Sequence, residues 1–416
     1  MRNNKNSRIG IIGAGAASLT AAETLKESGY SNVSILEKNP TPGGKCDSYE
    51  YEGKVYELGA GLIAKNNKTV VDLINKYNIE LRKVNSYTNN LYDVSTRKKV
   101  KDFFNLPETI SFVWQLLMKY RRLCHRYESI TEPGYQLTDL SLCQTFNEWA
   151  EEHKIPLVLE NFERYFTGFG YGYWEEIPAA YVLKYMDWET LKSFIRGNFY
   201  TFPTGIQSLW SEVAAQHDVI YNSTVQHINR GKVITVQTNT GSFEYDYIFI
   251  SSPLDEVLSL IQATKEEEYL FSQILYNDYQ CYAYSLKNFP NETGFLPKYF
   301  NPNERNQPIF WYKPYTDTDF YTFYVLGDWK TSQSQIQKNI ENMVHSFGGA
   351  VIKFHTCRKW KYFPRCTPES MKNGFYNRIE NLQGKNNTFY IGELPSFSTV
   401  ELTAHYAKEL VLSKLK

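Results

Sequence analysis

A glycine-rich turn near the start of the chain stands between a short apolar strand and a helix. The run Ile9–Ile12 predicts a buried parallel strand, and a turn at residues 13–18 follows it directly. The next helix ends near Gly29, and a second strand, Val33–Leu36, leads into the acidic Glu37. Strand, glycine turn, helix, strand and acid occur in the order of a β-α-β unit that binds a dinucleotide.

The residue types in this turn fit a phosphate group. Gly13 permits the tight turn, and Gly15 lets backbone N–H groups approach a pyrophosphate at the helix N-terminus. Ser18 stands where the fingerprint has Gly or Ala, and it is small enough for close packing of helix on strand. The Glu37 carboxylate can accept hydrogen bonds from a ribose diol. We therefore predict that the dinucleotide binds to Gly13, Gly15, Ala16, Ala17, Ser18, Glu37 and Lys38.

A second glycine pair distinguishes the cofactor. Glu37 is followed by five residues, then by Gly43-Gly44 and the base Lys45. This spacing resembles the pattern of the FAD-dependent amine oxidase, protoporphyrinogen oxidase and phytoene desaturase superfamily. Paired glycines let the chain pass under an extended cofactor, and Lys45 can offset phosphate charge. The resemblance predicts non-covalent FAD, held also by Gly44, Lys45, Gly59, Ala60 and Gly61.

The C-terminal end of the chain predicts a further part of this site. Residues 388–391 read as a strand, followed by Gly392-Glu393 and a helix from about Val400. In the superfamily such a segment closes on the ribitol and flavin, which implies that Gly392 and Glu393 contact the cofactor. The helix N-terminus at Val400 would direct its positive dipole end at the flavin. Val225, beside a short predicted strand, is the expected backbone partner of adenine.

These motifs predict an α/β fold of the amine oxidase type. We expect a Rossmann-like FAD-binding domain assembled from residues 1–80, 204–255 and 351–416. A substrate domain with a mixed sheet and a helical lid would take residues 81–203 and 256–350. A chain of 416 residues is long enough for two such interleaved domains.

Composition excludes several other classes of protein. The chain carries 45 basic and 45 acidic residues, so an overall attraction to nucleic acid has no support. The six cysteines contain no C-x-x-C pair, which predicts neither a metal site nor a disulfide scaffold and favours a cytoplasmic location. No stretch approaches the roughly 20 apolar residues that span a bilayer. The 33 Tyr and 25 Phe make ring-walled apolar pockets easy to build.

A helix that starts near Asn105 has an apolar face and a basic end. Asn105, Pro107 and Glu108 predict a capped start, and Lys119 and three arginines lie near the helix C-terminus. Cations are expected at that end because they complement the helix dipole, so we predict an ordinary lid helix. The alternative is a helix that rests on a membrane surface to collect a lipid.

Glycines alternate with aromatic residues in the middle of the chain, at residues 166–173. The chain here resembles the FAD-dependent polyunsaturated fatty-acid double-bond isomerases of the linoleate isomerase type. The resemblance covers residues 7–63, 164–210 and roughly 355–412. Its marks are Gly43-Gly44-Lys45-Cys46, the runs 166–172 and 178–185, Tyr362-Phe363-Pro364 and residues 387–393. Phe169 and Phe194 match the two phenylalanines that lie beside the flavin in this family.

The resemblance implies a redox-neutral isomerisation of an unsaturated lipid or fatty acid. Hydride passes from the substrate to flavin N5 and returns at another carbon, while Phe169 and Phe194 stabilise the cation through their ring faces. This chemistry needs no side-chain base, and the chain has no recognisable nucleophile or acid–base motif. One departure concerns the substrate. Where the family anchors the carboxylate on an arginine, the alignment around residues 87–92 places Asn, with Arg82 nearby.

Two other functions remain open at this point. An oxidase or desaturase of the amine oxidase superfamily would act on an amine or allylic substrate and pass electrons to oxygen or a quinone. A protein that holds FAD for binding or regulation would contain flavin that no substrate reduces.

Overall fold

The computed structural model describes residues 4–84, 90–100 and 104–415. Its strands are β1 (Ile9–Ile12), β2 (Val33–Leu36), β3 (Ser48–Tyr51), β4 (Lys54–Glu57), β5 (Ile63–Ala64), β6 (Arg82–Lys83), β7 (Asn90–Asp93), β8 (Lys98–Val100), β9 (Phe199–Thr201), β10 (Asp218–Ile220), β11 (Val225–Arg230), β12 (Ile234–Thr238), β13 (Ser242–Tyr245), β14 (Tyr247–Ile250), β15 (Leu275–Lys287), β16 (Gly294–Phe295), β17 (Pro308–Tyr312), β18 (Phe320–Gly327), β19 (Ala350–Arg365) and β20 (Thr388–Tyr390).

Fifteen α-helices lie in the described part of the chain. They are α1 (Ala16–Glu27), α2 (Lys68–Lys76), α3 (Leu106–Trp114), α4 (Arg121–Arg126), α5 (Phe146–Glu152), α6 (Pro156–Phe166), α7 (Ala179–Tyr185), α8 (Trp188–Arg196), α9 (Ile206–Ala214), α10 (Leu254–Val257), α11 (Lys265–Phe271), α12 (Gln333–Ser346), α13 (Pro368–Lys372), α14 (Phe375–Glu380) and α15 (Val400–Lys414). Six of them, α3 to α8, follow one another between β8 and β9. A π-helical segment, Gln115–Tyr120, joins α3 to α4.

A five-stranded parallel sheet forms the nucleotide end, in the order β10-β2-β1-β14-β20. Its strands come from three separated stretches of the chain. In the register of this sheet Ile12 lies opposite both Leu36 and Ile250. The carboxyl ends of these strands therefore meet at one edge, where ligands bind in open α/β sheets. Strand β10 was not predicted, because its three residues carry no distinguishing pattern.

Helix α1 packs between this sheet and α15. Nine of its twelve residues are buried, and most of them are small. Ala17, Ala21 and Ala22 on α1 and Ala404 and Ala407 on α15 all lie in the same core cluster. Small side chains let the two helix axes approach closely, which holds the N-terminus of α1 firmly at the edge of the sheet.

A mixed seven-stranded sheet forms a second layer, in the order β19-β15-β18-β17-β16-β7-β8. Strands β15 and β18 are buried along almost their whole length and carry many aromatic residues. The two sheets confirm the predicted α/β class. The domain boundaries stay a prediction, and β19, most of which we assigned to the nucleotide end, pairs with β15 in this second sheet.

Helices α3 to α8 form the helical part of the molecule, and the predicted capped start at Asn105 is confirmed. The Asn105 side chain accepts a hydrogen bond from the Glu108 amide, and the Glu108 side chain accepts one from the Asn105 amide, so both halves of a capping box are present.

A buried lysine holds the loop that follows α4. Lys184 on α7 is 2% exposed, and its Nζ donates to the carbonyl oxygens of Ile130, Glu132 and Gly134 at 2.8, 2.7 and 2.8 Å.

Replacing Lys184 with Met should lower the free energy of unfolding by about 3 kcal/mol or more, because three carbonyl groups lose their donor. The matched variant Lys192→Met removes a partly exposed lysine from α8 and should cost no more than about 1 kcal/mol. Chemical denaturation followed by circular dichroism measures both values. Equal stability of the two variants would contradict the role of Lys184 as the clamp of this loop.

Candidate functional site

Two glycine turns meet at the edge of the parallel sheet. Gly13 adopts φ +94°, and a Cβ there would lie 2.6 Å from the Ser251 hydroxyl. Gly15 forms a bridge with Gly43, and a Cβ built on Gly44 would lie 3.3 Å from the Gly15 Cα. The backbone of both turns is thus bare of side chains where they approach each other.

The N-terminus of α1 opens into this space. Gly15 is its N-cap and supplies no side-chain cap, so the first amides of the helix are available to a ligand. Ala16 is half-buried, and Ala17 and Ser18 are buried. The Ser18 hydroxyl donates to Ser251 Oγ at 2.8 Å, which accounts for a serine at the third fingerprint position.

Glu37 occupies the end of β2 beside the turn. Its Oε2 accepts the Ala14 amide at 2.7 Å, and its Oε1 accepts the Asn39 amide at 2.8 Å. These bonds fix the carboxylate while each oxygen keeps a second lone pair, so the group can still accept ribose hydroxyls. Lys38, by contrast, is exposed beyond the strand.

A lysine–glutamate pair spans the centre of the site. Lys45 Nζ lies 2.7 Å from Glu393 Oε1, and Ser398 Oγ donates to Glu393 Oε2 at 3.2 Å. The turn after β4 approaches from one side: a Cβ on Gly59 would overlap the Lys45 carbonyl oxygen. From the other side comes Gly392, at φ +103°. The structure therefore brings together two elements that lie far apart in the sequence.

The remaining predicted residues lie around this centre. Ala60 and Gly61 are half-buried in the turn after β4. Val225 starts β11, close to Ser223, whose amide donates to the Glu37 carbonyl at 2.8 Å. Val400 is the first residue of α15, behind the N-cap Thr399. Free helix amides, bare glycine turns and a buried carboxylate form a donor and acceptor set that fits an extended dinucleotide.

Phe169 and Phe194 belong to one aromatic cluster. Both are half-buried, and both lie next to Tyr165, with ring-centroid distances of 6.4 and 4.6 Å. Phe310 from β17 lies 6.2 Å from Phe169, and Phe199 from β9 lies 4.6 Å from Phe194. The place of these two phenylalanines beside the flavin stays a prediction. Tyr165, Phe310 and Phe199 come from separate elements and were not predicted as members of this cluster.

A row of tyrosine rings connects this cluster to the Lys45–Glu393 pair. The centroids of neighbouring rings in this row lie 4.8–5.7 Å apart, in the order Tyr324, Tyr279, Tyr362, Tyr171 and Tyr185. Lys45 Nζ lies 5.9 Å from the centre of the Tyr362 ring. No local sequence pattern marks Tyr279 or Tyr324, which reach this row through the pairing of β15 with β18.

The glycine–aromatic run is fixed from behind by β15 and β19. Tyr279 OH donates to the Gly168 carbonyl at 2.9 Å, and Asn277 Nδ2 donates to the Gly170 carbonyl at 2.8 Å. Arg365 in turn donates to Asn277 Oδ1 at 2.7 Å. A Cβ on Gly170 would lie 2.7 Å from the Tyr279 ring, so only glycine permits this contact.

Two buried phenols of the aromatic region stay neutral. Burial raises the pKa of the Tyr171 and Tyr185 phenols well above the ordinary value, so both stay neutral. Burial also raises the pKa of the Glu57 carboxyl, beneath Gly61, to about 7. Its two oxygens accept hydrogen bonds from Ser48 Oγ and the Ile206 amide. The region suits an apolar molecule.

The predicted head-group segment is only partly described. Residues 87–89 lie outside the described residues, whereas Asn90 is buried and donates to the Thr293 carbonyl at 3.2 Å. Arg82 is exposed, and its Nη2 donates to Tyr315 OH at 3.1 Å.

Comparisons with known proteins agree with this geometry. A crystal structure of a CLA-producing fatty acid isomerase from P. acnes superposes with a TM-score of 0.92 at 28% identity, covering 99% of this chain and 100% of that one. Cyclohexylamine oxidase from Brevibacterium oxydans superposes with a TM-score of 0.72 at 15% identity, covering 98% of both chains. The FAD-dependent oxidoreductase dpasF of Apiospora sacchari is 24% identical over 92% of this chain and 87% of its own length.

The similarity to the fatty-acid isomerase confirms the resemblance inferred from the central glycine–aromatic run, and the prediction of FAD as the cofactor is also confirmed. The family model described as "flavin containing amine oxidoreductase" matches residues 17–366. The chain is therefore an FAD-dependent enzyme that belongs to the flavin containing amine oxidoreductase family.

Proposed function

We propose that this enzyme moves double bonds in an unsaturated lipid or fatty acid without net oxidation. The observation that carries the proposal is the aromatic region beside the cofactor site, where neutral phenols and phenyl rings lie together. The similarity to a fatty acid isomerase over the whole chain supports the same substrate class.

FAD, when bound, supplies a two-electron centre that takes a hydride from an activated carbon and can return it at another. The amides of the α1 N-terminus and the turns at Gly15 and Gly44 would hold the pyrophosphate. Glu37 would hold the ribose, and Lys45 and Glu393 would lie beside the ribitol.

The two phenylalanines would act on the substrate. An allylic carbon that loses hydride carries delocalised positive charge, and the faces of Phe169 and Phe194 are the negative ends of their ring quadrupoles. The surrounding rings exclude water, which would otherwise add to the cation and end the reaction as a hydroxylated product. Because Tyr279 and Asn277 fix the backbone on both sides of Phe169, its ring is held in place before substrate binds.

An amine oxidase is the second candidate, and the family to which the chain belongs favours it. A neutral amine would fit between phenols such as Tyr171 and Tyr362, where the nearby Glu393 carboxylate is already paired with Lys45. An isomerase that acts on an apolar substrate accounts better for the phenyl rings around Phe169 and Phe194.

Anaerobic incubation of the yellow holoprotein with linoleate separates the two candidates. We expect conjugated-diene absorbance to rise through many turnovers while the flavin ends oxidised, with no added electron acceptor. Cyclohexylamine is the parallel substrate, and it should leave the flavin oxidised. Bleaching that lasts until oxygen is admitted would contradict isomerisation and support an oxidase.

The Phe169→Leu and Phe194→Leu variants should each lower the rate of diene formation roughly 2- to 30-fold, because leucine is also apolar but lacks a ring face. Phe243→Leu replaces another half-buried ring, on β13, and should leave the rate unchanged. Stopped-flow absorbance on the three variants gives the comparison. A role for the two rings is excluded if all three variants match the wild type.

Gly15→Ala should remove FAD while the protein stays folded. The added methyl would lie 4.0 Å from the Gly44 Cα, so the protein accommodates it, but it would stand where the pyrophosphate approaches. The control is Gly231→Ala in the β11–β12 turn, where the nearest atom would be 3.5 Å away. Flavin absorbance per protein and circular dichroism are measured together. Full flavin content in Gly15→Ala would contradict the assignment of this turn.

A further inference from the structure

A stripe of large apolar side chains on α3 and the π-helical segment faces solvent. Its six members are 43–73% exposed and follow one another at helical spacing: Leu106, Ile110, Val113, Trp114, Leu117 and Met118. Helix α3 buries none of its nine residues. An ordinary lid helix turns such a face inward, so this arrangement needs another explanation.

The helix is held in this orientation by its opposite face. Gln115 and Tyr120 are buried, with Gln115 Oε1 accepting the Leu157 amide at 3.1 Å and Tyr120 OH donating to the Met186 carbonyl at 3.0 Å. Leu116 is buried between them. The stripe is therefore a fixed outer surface of the described chain.

Cations follow the stripe directly. Residues 106–126 contain four basic side chains, Lys119, Arg121, Arg122 and Arg126, against one carboxylate, that of Glu108, in a chain with no net charge. Arg122 and Arg126 are exposed, and Glu108 is engaged in the capping box at the far end of α3. The combined surface is apolar along the helix and positive at its end.

This surface lies next to the elements that carry the aromatic region. Helix α3 and the π-helical segment pack on α6, which runs into the glycine–aromatic run, and α4 packs on α8, which carries Phe194. The residue after Phe194, Ile195, is itself 65% exposed. The stripe thus borders the same helices that wall the proposed substrate site.

We propose that this lid surface, the apolar stripe of residues 106–118 with the cations of residues 119–126, docks on a bilayer that contains anionic lipids. The apolar side chains enter the acyl boundary and the cations contact the headgroups, as in interfacial amphipathic helices. No helix in the described ranges has the length and apolar character to cross a bilayer, so the helix lies in the plane of the surface. Two copies meeting on this face would bring two cationic segments together, which disfavours a dimer. The proposal does not depend on which reaction the enzyme catalyses.

The test is sedimentation of the holoprotein with vesicles of phosphatidylcholine alone and of phosphatidylcholine mixed with phosphatidylserine. We expect stronger binding to the mixed vesicles. The double variant Ile110→Ser, Leu117→Ser should lose about tenfold or more in binding to both kinds of vesicle. The double variant Arg122→Gln, Arg126→Gln should lose about fivefold per cation, and only with the anionic vesicles.

The matched control is Ile352→Ser on β19, which removes an apolar side chain that is 56% exposed and distant in sequence from the stripe. It should bind vesicles as the wild type does. Quenching of Trp fluorescence by brominated lipid should occur in the wild type and fall in Trp114→Phe. The proposal is overturned if the wild type ignores both vesicles. It is equally overturned if the wild type is a dimer that Ile110→Ser, Leu117→Ser converts to monomer without any effect on vesicle binding.

Discussion

The register of the parallel sheet is the constraint on which the cofactor site depends. Ile12 lies opposite both Leu36 and Ile250, so the strands end level and the turns that follow them meet at one edge. This placement lets the Glu37 carboxylate reach the Ala14 amide. A slip of one residue would move every side chain of a strand to the other face and separate these groups by about 3.3 Å. The burial of apolar strand residues on both faces of the sheet therefore fixes the geometry of a polar site.

The aromatic region is fixed by a different kind of interaction, because rings alone leave the backbone free to shift. The carbonyl groups of Gly168 and Gly170 accept hydrogen bonds from Tyr279 and Asn277, and Arg365 orients the Asn277 amide. Each of these donors is buried, so the loss of one would leave a buried acceptor unpaired, at roughly 1–3 kcal/mol. The buried hydrogen bonds to the backbone of the glycine–aromatic run thus determine the position of its aromatic side chains.

The sequence predicted local features well and distant ones poorly, for a physical reason. Gly13, Gly15 and Glu37 were recognisable because a β-α-β unit imposes residue types within a short stretch of chain, and Asn105 because capping is a local interaction. The contribution of Tyr279 to the site depends on how β15 pairs with its neighbours, and the residue periodicity within a strand does not show that pairing. The exposure of the α3 stripe was equally hidden, since an amphipathic pattern reports that a helix has an apolar face and not what that face contacts.

The lipid substrate that we propose does not require an arginine anchor to bind. Burying about ten methylene groups of an acyl chain taken from water would contribute roughly 8 kcal/mol, which can offset much of the cost of association without any ion pair. A carboxylate that stays in solvent keeps its hydration, whereas burying it beside an arginine would first cost the desolvation of both charges. For substrate taken from a bilayer the apolar gain largely vanishes, because the acyl chain leaves one apolar medium for another. Affinity for free lipid then becomes less important than closeness to the membrane, and an exposed apolar helix beside the aromatic region supplies that closeness without any charged group inside it.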